Sequence, residues 1–134
     1  MTTIFHPVTT LAKSVRRLLW RFRHPVSLPE EIADALGIEL SNNLALSELI
    51  RKVQAPECLP QRLRRFMPRE EAEAAFKMAA RRESFRYSSL YSYYFSGGWV
   101  EFSLHFDEWG RLRRLYVIHK EIEEEGGMEM PLTT

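Results

Sequence analysis

An α+β fold follows from a change in hydrophobic period along the chain. Through residue 83 the apolar residues recur at helical spacing, and from residue 84 to 120 they alternate. Caps and helix breakers punctuate the first part, and two hairpin turns punctuate the second. The expected architecture is a set of N-terminal helices packed on one face of a C-terminal three- to four-stranded antiparallel β-meander. The 134 residues suit one domain. It divides into a basic amphipathic N-terminal helix or arm (1–27), a helical part (28–83), an antiparallel sheet (84–120) and an acidic flexible tail (121–134).

The first helix lies in "TTLAKSVRRLLWRFRHP". At about 100° per residue, Leu11, Val15, Leu18, Leu19 and Phe22 share one face. Lys13, Arg16, Arg17 and Arg23 lie opposite, Arg21 at the border, and Trp20 falls on the basic side. Thr9 or Thr10 caps the start and Pro25 ends it. "SLPEEIADALGIEL" is the second helix. Ser27 is its cap, Pro29 suits the first turn, and Glu30, Glu31 and Asp34 complement the positive end of the dipole. Ile32, Ala33 and Leu36 face inward and Gly37 is the stop. "SNNLALSELIRKVQ" adds a third, with Leu44, Leu46, Leu49, Ile50 and Val53 apolar. After the break "APECLPQ" comes a helical turn, then a longer helix from Pro68. Glu70 and Glu71 sit in its first turn and Arg81 and Arg82 in its last. Its stripe of Ala72, Ala75, Phe76 and Ala79 suits close packing on a sheet.

Three strands follow: Phe85–Phe95, Trp99–Phe106 and Arg111–His119. Gly97–Gly98 is a two-residue hairpin signal. "DEWG" at 107–110 reads as a type I turn with Gly110 in the left-handed position, closing a bulged hairpin. These turns pair Phe95 with Val100, Tyr93 with Phe102, Phe106 with Leu112, Leu104 with Arg114 and Phe102 with Tyr116. One face then holds Phe85, Tyr87, Tyr91, Tyr93, Phe95, Val100, Phe102, Leu104, Phe106, Leu112, Tyr116 and Ile118. It is too apolar to stay wet and is core. The other holds Ser92, Tyr94, Glu101, Ser103, His105 and Arg113, with Leu115 and Val117.

Hydrophobic residues make up 45% and charged residues 28%, a soluble globular profile rather than a disordered one. Cys58 is the single cysteine, so no internal disulfide forms, and a reducing compartment is expected. No apolar run approaches the ~20 residues of a spanning helix, and no secretion signal is visible. The expected localisation is cytoplasmic. Net charge is +1, but residues 1–27 carry five bases and no acid, while residues 83–134 carry five bases and nine acids. A basic arm of this kind meets something anionic: nucleic acid, a membrane surface through residues 9–23, or the acidic tail.

Catalytic chemistry finds little support. His6, His24, His105 and His119 are too dispersed for a metal site. Cys58 sits in a stiff, acidic stretch, the wrong setting for a reactive thiol. No phosphate loop, dinucleotide fingerprint or nucleophile elbow occurs. Glu101 and His105 share a strand face and could act as an acid/base pair, but solvated sheet faces often carry such neighbours. No catalytic residue, cofactor or metal is expected, and the chain reads as a non-enzyme.

Two stretches resemble known families. "PEEIADALGIELSNNLALSELI", over 29–50, resembles the front half of a helix-turn-helix through Ile32, Ala33, Leu36 and Gly37. Its second helix begins with Ser41, Asn42 and Asn43 and brings no Arg or Lys to read bases. The C-terminal half resembles SmpA/OmlA (BamE-like) domains through Met67, Glu70, Glu71, Phe106, Asp107, Gly110 and Arg111. That resemblance implies a helix-then-meander fold and a binding or scaffold role.

The function expected is a small intracellular, non-enzymatic protein-interaction domain of adaptor or scaffold type. Its partner-binding residues are Trp20, Tyr94, Trp99, Glu101 and Trp109, and an open sheet edge at Phe85–Phe95 invites a homodimer. The alternative is a nucleic-acid binder using Arg16, Arg17, Arg21, Arg23, Arg62, Arg64 and Arg65.

Overall fold

The computed structural model describes residues 26–39, 46–96, 98–122 and 126–134. Helix α1 spans Pro29–Leu36. Extended Leu28 precedes it, Pro29 stands in its first turn beside Glu30 and Glu31, and Gly37 closes it at φ 73°. Ser27 does not cap it. Its Oγ accepts from the Tyr94 N–H (3.2 Å) and its own N–H donates to the Tyr94 carbonyl (2.6 Å). The serine is spent on binding the chain to the sheet. Helix α2 spans Leu46–Gln54 and buries Leu49, Ile50 and Val53.

Helix α3 is shorter than its pattern suggested, Arg69–Ala74, with turns continuing to residue 78. Arg81 and Arg82 leave the helix for strand β1, Arg81–Ser84. The ladder to the next strand begins at the Ala80 N–H, which donates to the Ser92 carbonyl (2.9 Å). Sheet pairing therefore outcompetes helix continuation here. Ala72, Ala75 and Phe76 are buried as the stripe requires, and the Phe76 ring stacks on Tyr91 at 4.9 Å.

The sheet is antiparallel with five strands in chain order: β1, β2 (Ser88–Phe95), β3 (Gly98–Phe106), β4 (Leu112–Ile118) and β5 (Met128–Met130). Four differences from the expected meander matter. First, the stretch 85–95 is not one strand. A turn at 85–87 separates β1 from β2, and Phe85 and Tyr87 are exposed rather than core. Second, β2 is flanked on both sides, so the edge expected at Phe85–Phe95 is occupied. The edge strand is β1, short and carrying Arg81, Arg82 and Glu83, features that discourage edge-to-edge pairing. Third, Phe95 pairs with Gly98 and Tyr93 with Val100. That is a slip of two residues from the expected register, and an even slip leaves the faces unchanged.

Fourth, a bulge lies where β3 meets β4. Phe106 pairs with Leu112, but His105 pairs with Arg114, leaving Arg113 extra. One added residue reverses parity beyond it. Leu115 and Val117 turn inward and are fully buried, while Tyr116 and Ile118 turn to the outer face. The turn itself is as read: Gly110 has φ 73° and its N–H donates to the Asp107 carbonyl.

The described part of the acidic tail contributes to the sheet and the core. Strand β5 pairs with β4, Met130 is fully buried, Leu132 is buried, and Thr133 bridges Arg64. Ile32 and Leu36 of α1, the three buried residues of α2, and Leu63, Met67 and Phe76 form one core cluster. Tyr91, Tyr93, Phe102, Leu104, Leu115 and Val117 of the sheet complete it. The aromatic strands are therefore mostly core wall.

Candidate functional site

The outer sheet face is built by the strand positions that alternate with the core. Tyr94 lies opposite Trp99, Ser92 opposite Glu101, and Ser103 opposite Tyr116. Ser92 and Ser103 are small and sit buried between larger neighbours. Trp99 is 38% exposed, and Leu90, Tyr94, Glu101 and Ile118 are half-buried. Glu101 accepts from Ser92 Oγ at 3.2 Å. Arg81, at the β1 edge, pairs with Glu83, and the neighbouring Tyr94 and Glu83 push its guanidinium pKa up.

Of the expected partner residues, the structure brings Tyr94, Trp99 and Glu101 together. Trp109 lies elsewhere, in the β3–β4 turn. Trp20, like Arg16, Arg17, Arg21, Arg23 and the whole 9–23 segment, lies outside the described residues, as do Ser41, Asn42 and Asn43.

The acid/base pairing of Glu101 with His105 does not form, because each has another partner. His105 Nε2 stands 2.9 Å from Ser103 Oγ, and its ring meets Tyr116 edge-on at 5.1 Å. Burial and then the Arg114 charge push the imidazole below its ordinary value. Cys58 is buried in a shallow depression with Lys52 and Glu57. Burial pushes its thiol pKa up, the Lys52 charge opposes and Glu57 adds. Among the described residues no three His, Cys, Asp or Glu side chains cluster as metal ligands.

The three arginines of 62–65 have different partners. Arg62 is turned back onto α1, its Nη1 3.1 Å from the Asp34 carbonyl and 3.3 Å from Asp34 Oδ2. Arg64 stands 3.9 Å from Glu71, and the Arg65 N–H donates to the Thr133 carbonyl. Arg65 makes no ion pair among the described residues.

A second surface, at the end of the sheet where β3 turns into β4, was not singled out from the sequence. The Asp107 carboxylate accepts from the N–H groups of Trp109 (3.0 Å) and Arg111 (2.9 Å). It also holds Arg111 Nε (3.0 Å) and Arg113 Nη1 (3.4 Å). Burial alone would raise this carboxyl, but the Arg111 and Trp109 hydrogen bonds outweigh it and hold it below the usual carboxylate range. Both guanidiniums lie over the exposed Phe66 ring, at 5.4 and 4.9 Å, and Arg111 also lies 5.1 Å from Trp109. The available signal was the interleaving of rings and arginines in "RRF" and "DEWGRLRR".

In comparisons with known proteins, the chain matches no family model, no curated protein and no solved structure. Among the described residues, no helix is long and apolar enough to cross a membrane.

Proposed function

We propose that the chain is a small intracellular, cytoplasmic, non-enzymatic protein-interaction domain that meets its partner through the outer sheet face. The observation that carries this is the pairing of exposed Trp99 with Tyr94, beside Glu101, on a sheet whose opposite face is filled by the core. Tryptophan and tyrosine give large contact areas for little side-chain entropy, which makes them common binding anchors. In this reading α1, α2 and α3 cover the inner face and the outer one meets the partner. A single, buried, unpaired Cys58 suits a reducing setting. The resemblance to SmpA/OmlA domains supports the same binding role.

The test is comparative. The immobilised wild type, Trp99→Glu and Met78→Glu, a control at another exposed apolar residue, are offered the same cell extract. The reading expects a protein held by wild type and Met78→Glu and lost by Trp99→Glu, with circular dichroism unchanged. A partner held equally by all three removes the outer face from the account.

A second reading, nucleic-acid binding, is favoured by Arg65, exposed and next in sequence to the exposed ring of Phe66.

A further inference from the structure

Seven large apolar side chains are exposed among the described residues, and four of them lie at one end of the sheet. Phe66 comes from the connector before α3. Phe85 and Tyr87 come from the β1–β2 turn, and Trp109 from the β3–β4 turn. They are 45%, 51%, 47% and 69% exposed. Arg69 fastens the three segments to one another. Its N–H donates to the Gly110 carbonyl (2.8 Å) and its guanidinium to the carbonyls of Phe85 (2.6 Å) and Arg86 (2.8 Å). The rings are thus carried on hydrogen-bonded supports.

Phe66 is held out at a cost. Its φ is 72°, a left-handed conformation that residues with a Cβ avoid. Its N–H donates to the Leu112 carbonyl (2.6 Å), and the Met67 carbonyl accepts from Leu112 N–H (2.9 Å), which pins the conformation. A strained, exposed aromatic with two guanidiniums over its ring is an outlier of the kind found at binding sites. Arg86 lies with its guanidinium 5.2 Å from the Tyr87 ring, and Arg65 is next to Phe66 in sequence; both are exposed and without an ion pair among the described residues. Arg111 and Arg113 share the single carboxylate of Asp107.

We propose that this end of the sheet binds single-stranded nucleic acid. Bases stack on Trp109 and the rings beside it, and phosphates meet Arg65, Arg86, Arg111 and Arg113. Exposed flat rings interleaved with arginines are what unpaired bases and their backbone require. A duplex would satisfy the charges but keep its bases stacked on each other. An acidic peptide would use the arginines and leave the rings idle. The inference rests on the nucleic-acid reading and takes nothing from the outer sheet face.

The experiment is fluorescence anisotropy with the full chain and end-labelled oligouridine and oligothymidine of about 12 nucleotides, a length within the range of single-strand sites. A duplex of the same length and labelled polyglutamate serve as comparators, and salt is varied. Both single strands should bind, and more tightly than either comparator. Trp109→Ala should weaken them about tenfold, the loss expected for one stacked base. Arg113→Gln should weaken binding and lower the salt slope by about one. Trp99→Ala should leave it unchanged. Unchanged binding in both Trp109→Ala and Tyr87→Ala would overturn this site while leaving nucleic-acid binding to other arginines. Equal affinity for duplex or polyglutamate would reduce the site to charge alone and overturn stacking. No binding by wild type at low salt would overturn both this inference and the reading beneath it.

Discussion

Phe66 shows how one residue can be set by its neighbours against its own preference. A left-handed non-glycine residue costs about 1–2 kcal/mol. Exchange for glycine removes that strain but loses the two cation–π contacts, worth roughly 0.5–1 kcal/mol each at an exposed site. It also adds unfolded-state entropy of about 0.4–1 kcal/mol. These offset one another, so Phe66→Gly should shift the urea-derived stability by less than about 1 kcal/mol, while Phe66→Val, stiff at Cβ, should lose more. A large loss in Phe66→Gly would mean the ring holds the fold together. Asp107 carries a pH signature. Its folded pKa lies below the ordinary 3.8, so its contribution is complete above that value and fades as pH falls through the lowered one. The stability gap between wild type and Asp107→Asn should be flat from about pH 7 to 5 and shrink as pH falls below the ordinary carboxylate value. A gap that widens on acidification would contradict the hydrogen bonds assigned here. At this scale the Asp107–Gly110 turn was legible in "DEWG". The backbone of Phe66 was not, because it depends on Leu112, distant in sequence.

Among the elements, β4 separates what patterning reveals from what it conceals. "LRRLYVI" does not alternate, since Arg113 and Arg114 fall together between Leu112 and Leu115. A bulge at Arg113 lets both arginines face away and restores Leu115 and Val117 to the core. The glycine turn was readable, but the extra residue could lie at Gly110 or beyond it, and only the core contacts decide. Leu115→Ala should cost about 2–5 kcal/mol, and Tyr116→Ala under about 1 kcal/mol. The reverse order would restore the unbulged register. Strand β5 was hidden because three residues, two of them methionine, sit in an acidic tail with no strand-length pattern. Its seating depends on Gly127, at φ 97°, where an added Cβ would stand 2.6 Å from Ile118 Cγ1 and 2.7 Å from the Val117 carbonyl. Gly127→Ala should lower Tm and speed amide exchange in Met128–Met130. Unchanged exchange there would show that β5 is not docked as described.

At the scale of the molecule, the described sheet has one face in the core and carries Tyr94, Trp99 and Glu101 on the other. The α+β class and the inner-face aromatics Tyr91, Tyr93 and Phe102 were legible because period and turn spacing fix parity. The grouping of Tyr94, Trp99 and Glu101 followed from the same parity. The separation of Trp109 from them did not, because it depends on the length of the sheet rather than on its faces. The most direct measurement of the outer face as contact surface places a photo-crosslinking amino acid at position 99 and, separately, at position 78. The account predicts one partner adduct from position 99, suppressed by Tyr94→Glu, and none of that mass from position 78. The same adduct from both positions, or from 78 alone, would contradict it.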